Sequence, residues 1–137
     1  MGEENFPPFF NMEYRKKNDN LILVAKGYGK NDAPYNKPVD ADLWVINDIV
    51  YERQDIDLLW EIHSFENYSK DQFDNVILAN ELKIPIMMAK SYSQFPYVIA
   101  FPIEKIIKEF DSDYFMTAMA YMVAYAMYLG YKKIDTY

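Results

Sequence analysis

Apolar and polar positions along the chain alternate between two rhythms. Residues 21–25 (LILVA), 42–47 (DLWVIN), 58–64 (LLWEIHS) and 84–89 (IPIMMA) are short, nearly solid apolar runs. They are too short for helices and have the pattern of strands buried on both faces. Residues 97–102 (YVIAFP) read as a fifth short strand or an extended segment, and 132–137 (KKIDTY) as a last short strand. Between them the period lengthens. The capping-box spacing of Ser69 and Gln72 opens a helix to about Lys83, with Phe73, Val76 and Ile77 on one apolar face. Pro102 suits the first turn of the next helix, whose Ile103, Ile106, Ile107 and Phe110 repeat at helical spacing. A long helix over 113–130 starts at Asp111-Ser112-Asp113 and stops at Gly130 before Lys132 and Lys133.

Strands of this kind interleaved with amphipathic helices predict an α/β fold, a three-layer Rossmann-like domain with a mostly parallel sheet of about five strands. Residues 1–19 form a polar, proline-containing lead-in with a short strand expected around 9–14, and 20–137 form the domain. Residues 30–41, with two prolines and several Asn and Asp, read as a loop. In such a sheet a ligand sits beyond the carboxyl ends of the strands. The turn after the first strand, the loop after the second and the region after the third then share one edge.

Composition narrows the function. The chain has 137 residues, 51% of them hydrophobic, enough for one domain with a real core. Its formal net charge of −7 disfavours nucleic acid as a partner, and the short cluster Arg15-Lys16-Lys17 reads as a solvated turn. The absence of cysteine excludes disulfides, thiolate metal sites and a cysteine nucleophile, and fits a cytoplasmic protein. The opening MGEENFPPFF is acidic and broken by proline, unlike a signal peptide, and Phe6 stands where myristoylation wants Ser or Thr. Residues 114–131 carry no charge over 18 positions, but five are tyrosines and the flanks are those of a soluble helix, so no membrane partner is expected.

The candidate chemistry lies at the strand ends. Gly27-Tyr28-Gly29-Lys30-Asn31 follows the first strand, and glycines there let backbone amides approach an anion. The dinucleotide fingerprint lacks its third glycine, since Asp32 is there, and Gly-Lys-Asn does not complete a Walker A motif, so a plain tight turn stays open beside a phosphate loop. Asn47 and Asp48 close the second strand as ribose or base ligands, or as a cap or turn. His63, the only histidine, offers a general acid or base, or a structural hydrogen bond; Glu61 shares its side of the strand and Ser64 follows. With no second histidine, no metal site is expected. Ser112, Asp113 and Thr117 stand at the start of the long helix, where anions bind well, whereas Ala118, Ala120, Ala124 and Ala126 suit close packing. No catalytic constellation emerges from these residues.

The segments LILVAKGYGKND…DADLWVINDIVYE and YFMTAMAYMVAYAMYLGYKKIDTY resemble a Rossmann-like family that includes bacterial sialyltransferases using CMP-sialic acid and related phage-encoded proteins. Gly27 and Gly29 match its loop glycines, Asn47 its strand-end asparagine, and Thr117 stands near its Ser/Thr at the helix start. Lys30-Asn31 replace the family's Pro-Ser. The family's catalytic histidine lies in later sequence and has no counterpart here; His63 does not match it by position. The resemblance implies a small, phage-related protein that binds a nucleotide or nucleotide sugar at Gly27, Gly29, Asn47 and Thr117, without an assigned transfer reaction; the strand-end reading adds Lys30, Asn31, Asp48, His63 and Ser64 as candidate ligand contacts. The alternative is a non-catalytic protein-interaction or assembly module on the same fold, with a protein partner or a homo-oligomer, supported by the tyrosine-rich composition and the aromatic stretch FPPFF.

Overall fold

The computed structural model describes residues 13–26, 28–62, 69–111 and 118–137. Six strands form one sheet: β1 (Asn20–Val24), β2 (Ala41–Ile46), β3 (Leu58–Glu61), β4 (Ile86–Met88), β5 (Val98–Ala100) and β6 (Lys133–Thr136). Their order is β5-β4-β3-β2-β1-β6, and every pairing is parallel. The helices are α1 (Lys70–Glu81), α2 (Ile103–Phe110) and α3 (Ala118–Leu129). Single 3-10 turns, Tyr28–Asp32 and Asn47–Tyr51, stand in the β1–β2 and β2–β3 connections. This is the α/β architecture expected from the apolar runs.

Strand alternation divides the core in two. Leu21, Leu23, Trp44, Leu58, Trp60, Met87 and Ile99 face α2 and α3, and meet Met122, Tyr125 and Ala126. Ile22, Val24, Leu43, Val45, Leu59, Ile86 and Met88 face the other layer, with Ile49, Val50, Val76 and Ala79. The chain therefore travels β1 to β4 along one face and returns from β5 to β6 over the other.

Some elements differ from expectation in detail. Glu13 and Tyr14 lie in no strand, and residues 9–12 fall outside the described part. In α1 the buried positions are Asn75, Val76 and Ala79, while Phe73 and Ile77 are half-buried. The helix turns Asn75 inward because a buried carboxylate on β3 needs a donor. In α2 only Ile106 is fully buried, and Ile103 is exposed at its first turn. In α3 the sheet-facing stripe is Met122, Tyr125 and Ala126, with Ala124 beside it; Ala118 is exposed. No helix among the described residues is long and apolar enough to cross a membrane.

The amino edge of the sheet is fixed by a buried polar network. Asp42, fully buried, accepts from the amides of Lys17 (2.9 Å) and Asn18 (3.3 Å), from Asn18 Nδ2 (2.8 Å) and from the Tyr131 hydroxyl (2.5 Å). Burial alone would raise its carboxyl, but these hydrogen bonds outweigh that and hold it below its ordinary range. Trp44 Nε1 donates to the Tyr14 hydroxyl, which in turn bonds that of Tyr131. One carboxylate thus ties the strap before β1, the start of β2 and the entry to β6.

Candidate functional site

Parallel pairing sets the carboxyl ends of β1, β2 and β3 side by side, so the loops after them are neighbours in space. β1 runs out through Lys26 into the turn containing Gly29, Lys30 and Asn31. β2 ends at Ile46, and Asn47 follows with φ 52°, a left-handed conformation that Asn tolerates better than most residues. Asp48 comes next, half-exposed, in the turn that buries Ile49 and Val50. β3 ends at Glu61.

Two ion pairs clasp the first two connections. Lys26 Nζ lies 3.2 Å from Asp48 Oδ1, and Lys30 Nζ lies 3.1 Å from Glu52 Oε2. Pairs as exposed as these contribute at most about 1 kcal/mol, so either lysine can exchange its carboxylate for an incoming phosphate at little cost. Gly29 has a structural reason to lack a side chain: a Cβ there would stand 3.2 Å from the carbonyl carbon of Tyr137. Tyr137 is held in place by main-chain bonds to Leu23 (2.8 Å) and Ala25 (2.9 Å). The glycine thus lets the chain pass beside the end of β6.

Glu61 is the unusual group of this edge. It lies on the face of the sheet that meets α1, and none of its surface is exposed. Asn75 Nδ2 donates to its Oε2 at 3.0 Å. Burial pushes its carboxyl up to about 7; the Asn75 hydrogen bond opposes this, the negative charge of Asp48 adds to it, and Lys26 opposes it. A carboxyl poised near neutrality at the end of a central parallel strand can hold or release a proton at physiological pH.

A groove of about 640 Å³ opens between the two connections, lined by Lys30, Asn31 and Tyr35 on one side and by Glu52, Arg53 and Asp55 on the other. Its size falls within the usual range for small-molecule sites. Arg53 is fixed by two bonds to Asp55, 2.9 and 2.6 Å, and donates to the Tyr35 carbonyl at 3.2 Å. The structure therefore brings Gly29, Lys30 and Asn31 together with the Asn47–Asp48 turn, but divides them. Lys30 and Asn31 line the groove; Asp48, with Lys26, acts on Glu61, and neither Asn47 nor Asp48 lines the groove. Gly27, His63, Ser64 and Thr117, with Ser112 and Asp113, lie outside the described residues.

Sequence reasoning noted Glu61 as a neighbour of His63 but gave no role to Asn75, Lys26 or Arg53. Asn75 carries a readable signal, a polar residue between apolar ones on the inward face of α1. The others depend on loop geometry that no periodicity encodes. Among the described residues no three His, Cys, Asp or Glu side chains are grouped to hold a metal ion. No family model matches the chain, and no match is found among curated proteins or solved structures.

Proposed function

We propose that the chain is a small nucleotide- or nucleotide-sugar-binding protein whose ligand lies across the carboxyl ends of β1 and β2 and extends into the groove between their connections. The single observation that carries this reading is the groove itself, which begins at Lys30 and Asn31, in the turn after β1 of an all-parallel sheet, and runs between the β1–β2 and β2–β3 connections. Lys26, Lys30 and the amides around Gly29 meet the phosphates; Asn47 and Asp48 meet the ribose or base. Glu61, buried at the end of β3 and hydrogen-bonded to Asn75, lies at the same edge. Transfer of a sugar is not part of the reading, because none of these groups forms a nucleophile–base pair. A thermal-shift screen against nucleotides and nucleotide sugars tests it: saturable stabilisation by one base class is expected, and is reduced in Lys30→Ala. A flat response at millimolar ligand would remove the proposal.

A second reading, a non-catalytic interaction or assembly module on the same fold, draws on α3. Its twelve residues AMAYMVAYAMYL carry no charge, yet Met127 is 56% and Tyr128 37% exposed. An outer helix apolar on all sides suits a partner or a second copy. Sedimentation equilibrium separates the readings: self-association that Met127→Lys abolishes favours the second, and a monomer at every concentration speaks against a homo-oligomer.

A further inference from the structure

We propose that a second groove, at the amino edge of the sheet, binds a short peptide bearing acidic and apolar side chains. This groove, of about 420 Å³, lies between the strap preceding β1 and the turn that leaves α1. Four cations line it, Arg15, Lys16, Lys17 and Lys83, against two carboxylates, Glu13 and Asp57. Both carboxylates are already committed. Glu13 receives Lys105 at 2.6 Å, and Asp57 receives Lys37 at 2.8 Å and the Leu43 amide at 2.8 Å. Lys16 and Lys17 are engaged with Asp19 and Asp57; Arg15 acts on Glu13 through its charge without pairing with it, and Lys83 forms no ion pair among the described residues. A chain of net charge −7 thus gathers an excess of positive charge in one concave place.

Apart from Tyr14 and Gln54 the remaining lining is aliphatic, Ile56, Leu82, Ile84 and Pro85, and supplies the other half of the specificity. Leu82, 43% exposed, stands beside Lys83, with half-buried Pro85 next to them. A bare anion would leave this surface wet, whereas a peptide placing a carboxylate against Arg15 or Lys83 and an apolar side chain on Leu82 satisfies both. Lys83 also occupies the left-handed position after α1, with φ 61°, where glycine is the usual residue. Its amide bonds Asn80 at 3.1 Å and that of Ile84 bonds Ala79 at 2.9 Å, so the lysine backbone is held rigidly at the groove rim. The cluster Arg15-Lys16-Lys17, read from sequence as a solvated turn, thereby becomes one wall of a site that adjoins the nucleotide groove through Gln54, which lines both.

The test is fluorescence anisotropy of a labelled synthetic peptide alternating Glu and Leu, titrated with the full chain at low and high salt. Saturable binding is expected that weakens with salt, falls roughly tenfold or more in Arg15→Glu/Lys83→Glu, and is lost when the peptide's Glu residues are replaced by Gln. Unchanged thermal unfolding and circular dichroism establish that the double variant is folded; if it is not, Arg15→Gln/Lys83→Gln replaces it. Leu82→Ser is expected to weaken the peptide without affecting displacement by inorganic phosphate. No saturation at millimolar chain, equal binding by the double variant, equal binding of the Gln peptide, or displacement by short single-stranded DNA with no effect of Leu82→Ser would each overturn the proposal.

Discussion

Two buried carboxylates, Glu61 and Asp42, pull the pH dependence of this protein in opposite directions. Glu61 is raised from its ordinary 4.5 to about 7, so the folded state keeps a proton that the unfolded chain has released. Stability therefore falls as pH rises through that window, by on the order of 3 kcal/mol once the transition is complete. Glu61→Gln should flatten the decline and raise the unfolding midpoint at neutral pH; urea titrations from about pH 5 to 8 check this, and an unchanged slope would show that Glu61 is solvated. Asp42 is depressed, so its contribution is present above its ordinary value and is lost only as pH falls through the acid range. Asp42→Asn forces an amide NH2 against the donors of Lys17, Asn18 and Tyr131. It should cost about 3 kcal/mol in urea unfolding at neutral pH; a cost under about 0.5 kcal/mol would contradict the network.

The helices of the outer layers differ in what holds them. α3 lies on a sheet face of large rings, with Tyr125 packed 5.7 Å from Trp44 and 5.8 Å from Trp60 between ring centroids. Ala126 is fully buried there, while its neighbour Met127 is exposed. Ala126→Leu should overpack this layer at a cost of about 1–3 kcal/mol, whereas Met127→Ala should stay within about 0.5 kcal/mol in the monomer; chemical denaturation of both variants makes the comparison. The strands were legible because LILV, LWVI and LLW can only be buried on both sides. Which helix positions turn inward was less legible, since α3 is apolar all round and offers no periodic face. In α1 the inward Asn75 displaces the expected Phe73–Ile77 face for an electrostatic reason, the need of Glu61, which hydrophobic spacing does not encode.

At the scale of the whole molecule the sheet separates two chemistries. Its carboxyl edge carries the Lys26–Asp48 and Lys30–Glu52 clasps and the Glu61 carboxyl; its amino edge carries the Asp42 network and the basic groove. The convergence of the first two loops followed from topology alone, because parallel neighbouring strands must end together. The division of their residues between a groove and a buried carboxyl did not, since it depends on how the short 3-10 turns fold back over the sheet. Gly29 illustrates the limit: its glycine signal was readable, but the structure accounts for it by the close passage of Tyr137. At 16.3 kDa the chain suits amide chemical-shift mapping, the most direct test of a nucleotide site at the carboxyl edge. Titrated with nucleotides and nucleotide sugars, the isotope-labelled protein should show saturable shifts at Lys26, Gly29, Lys30, Asn31, Asn47 and Asp48, with Arg15 and Lys83 unmoved. Shifts confined to the amino edge, or none at millimolar ligand, would contradict the account.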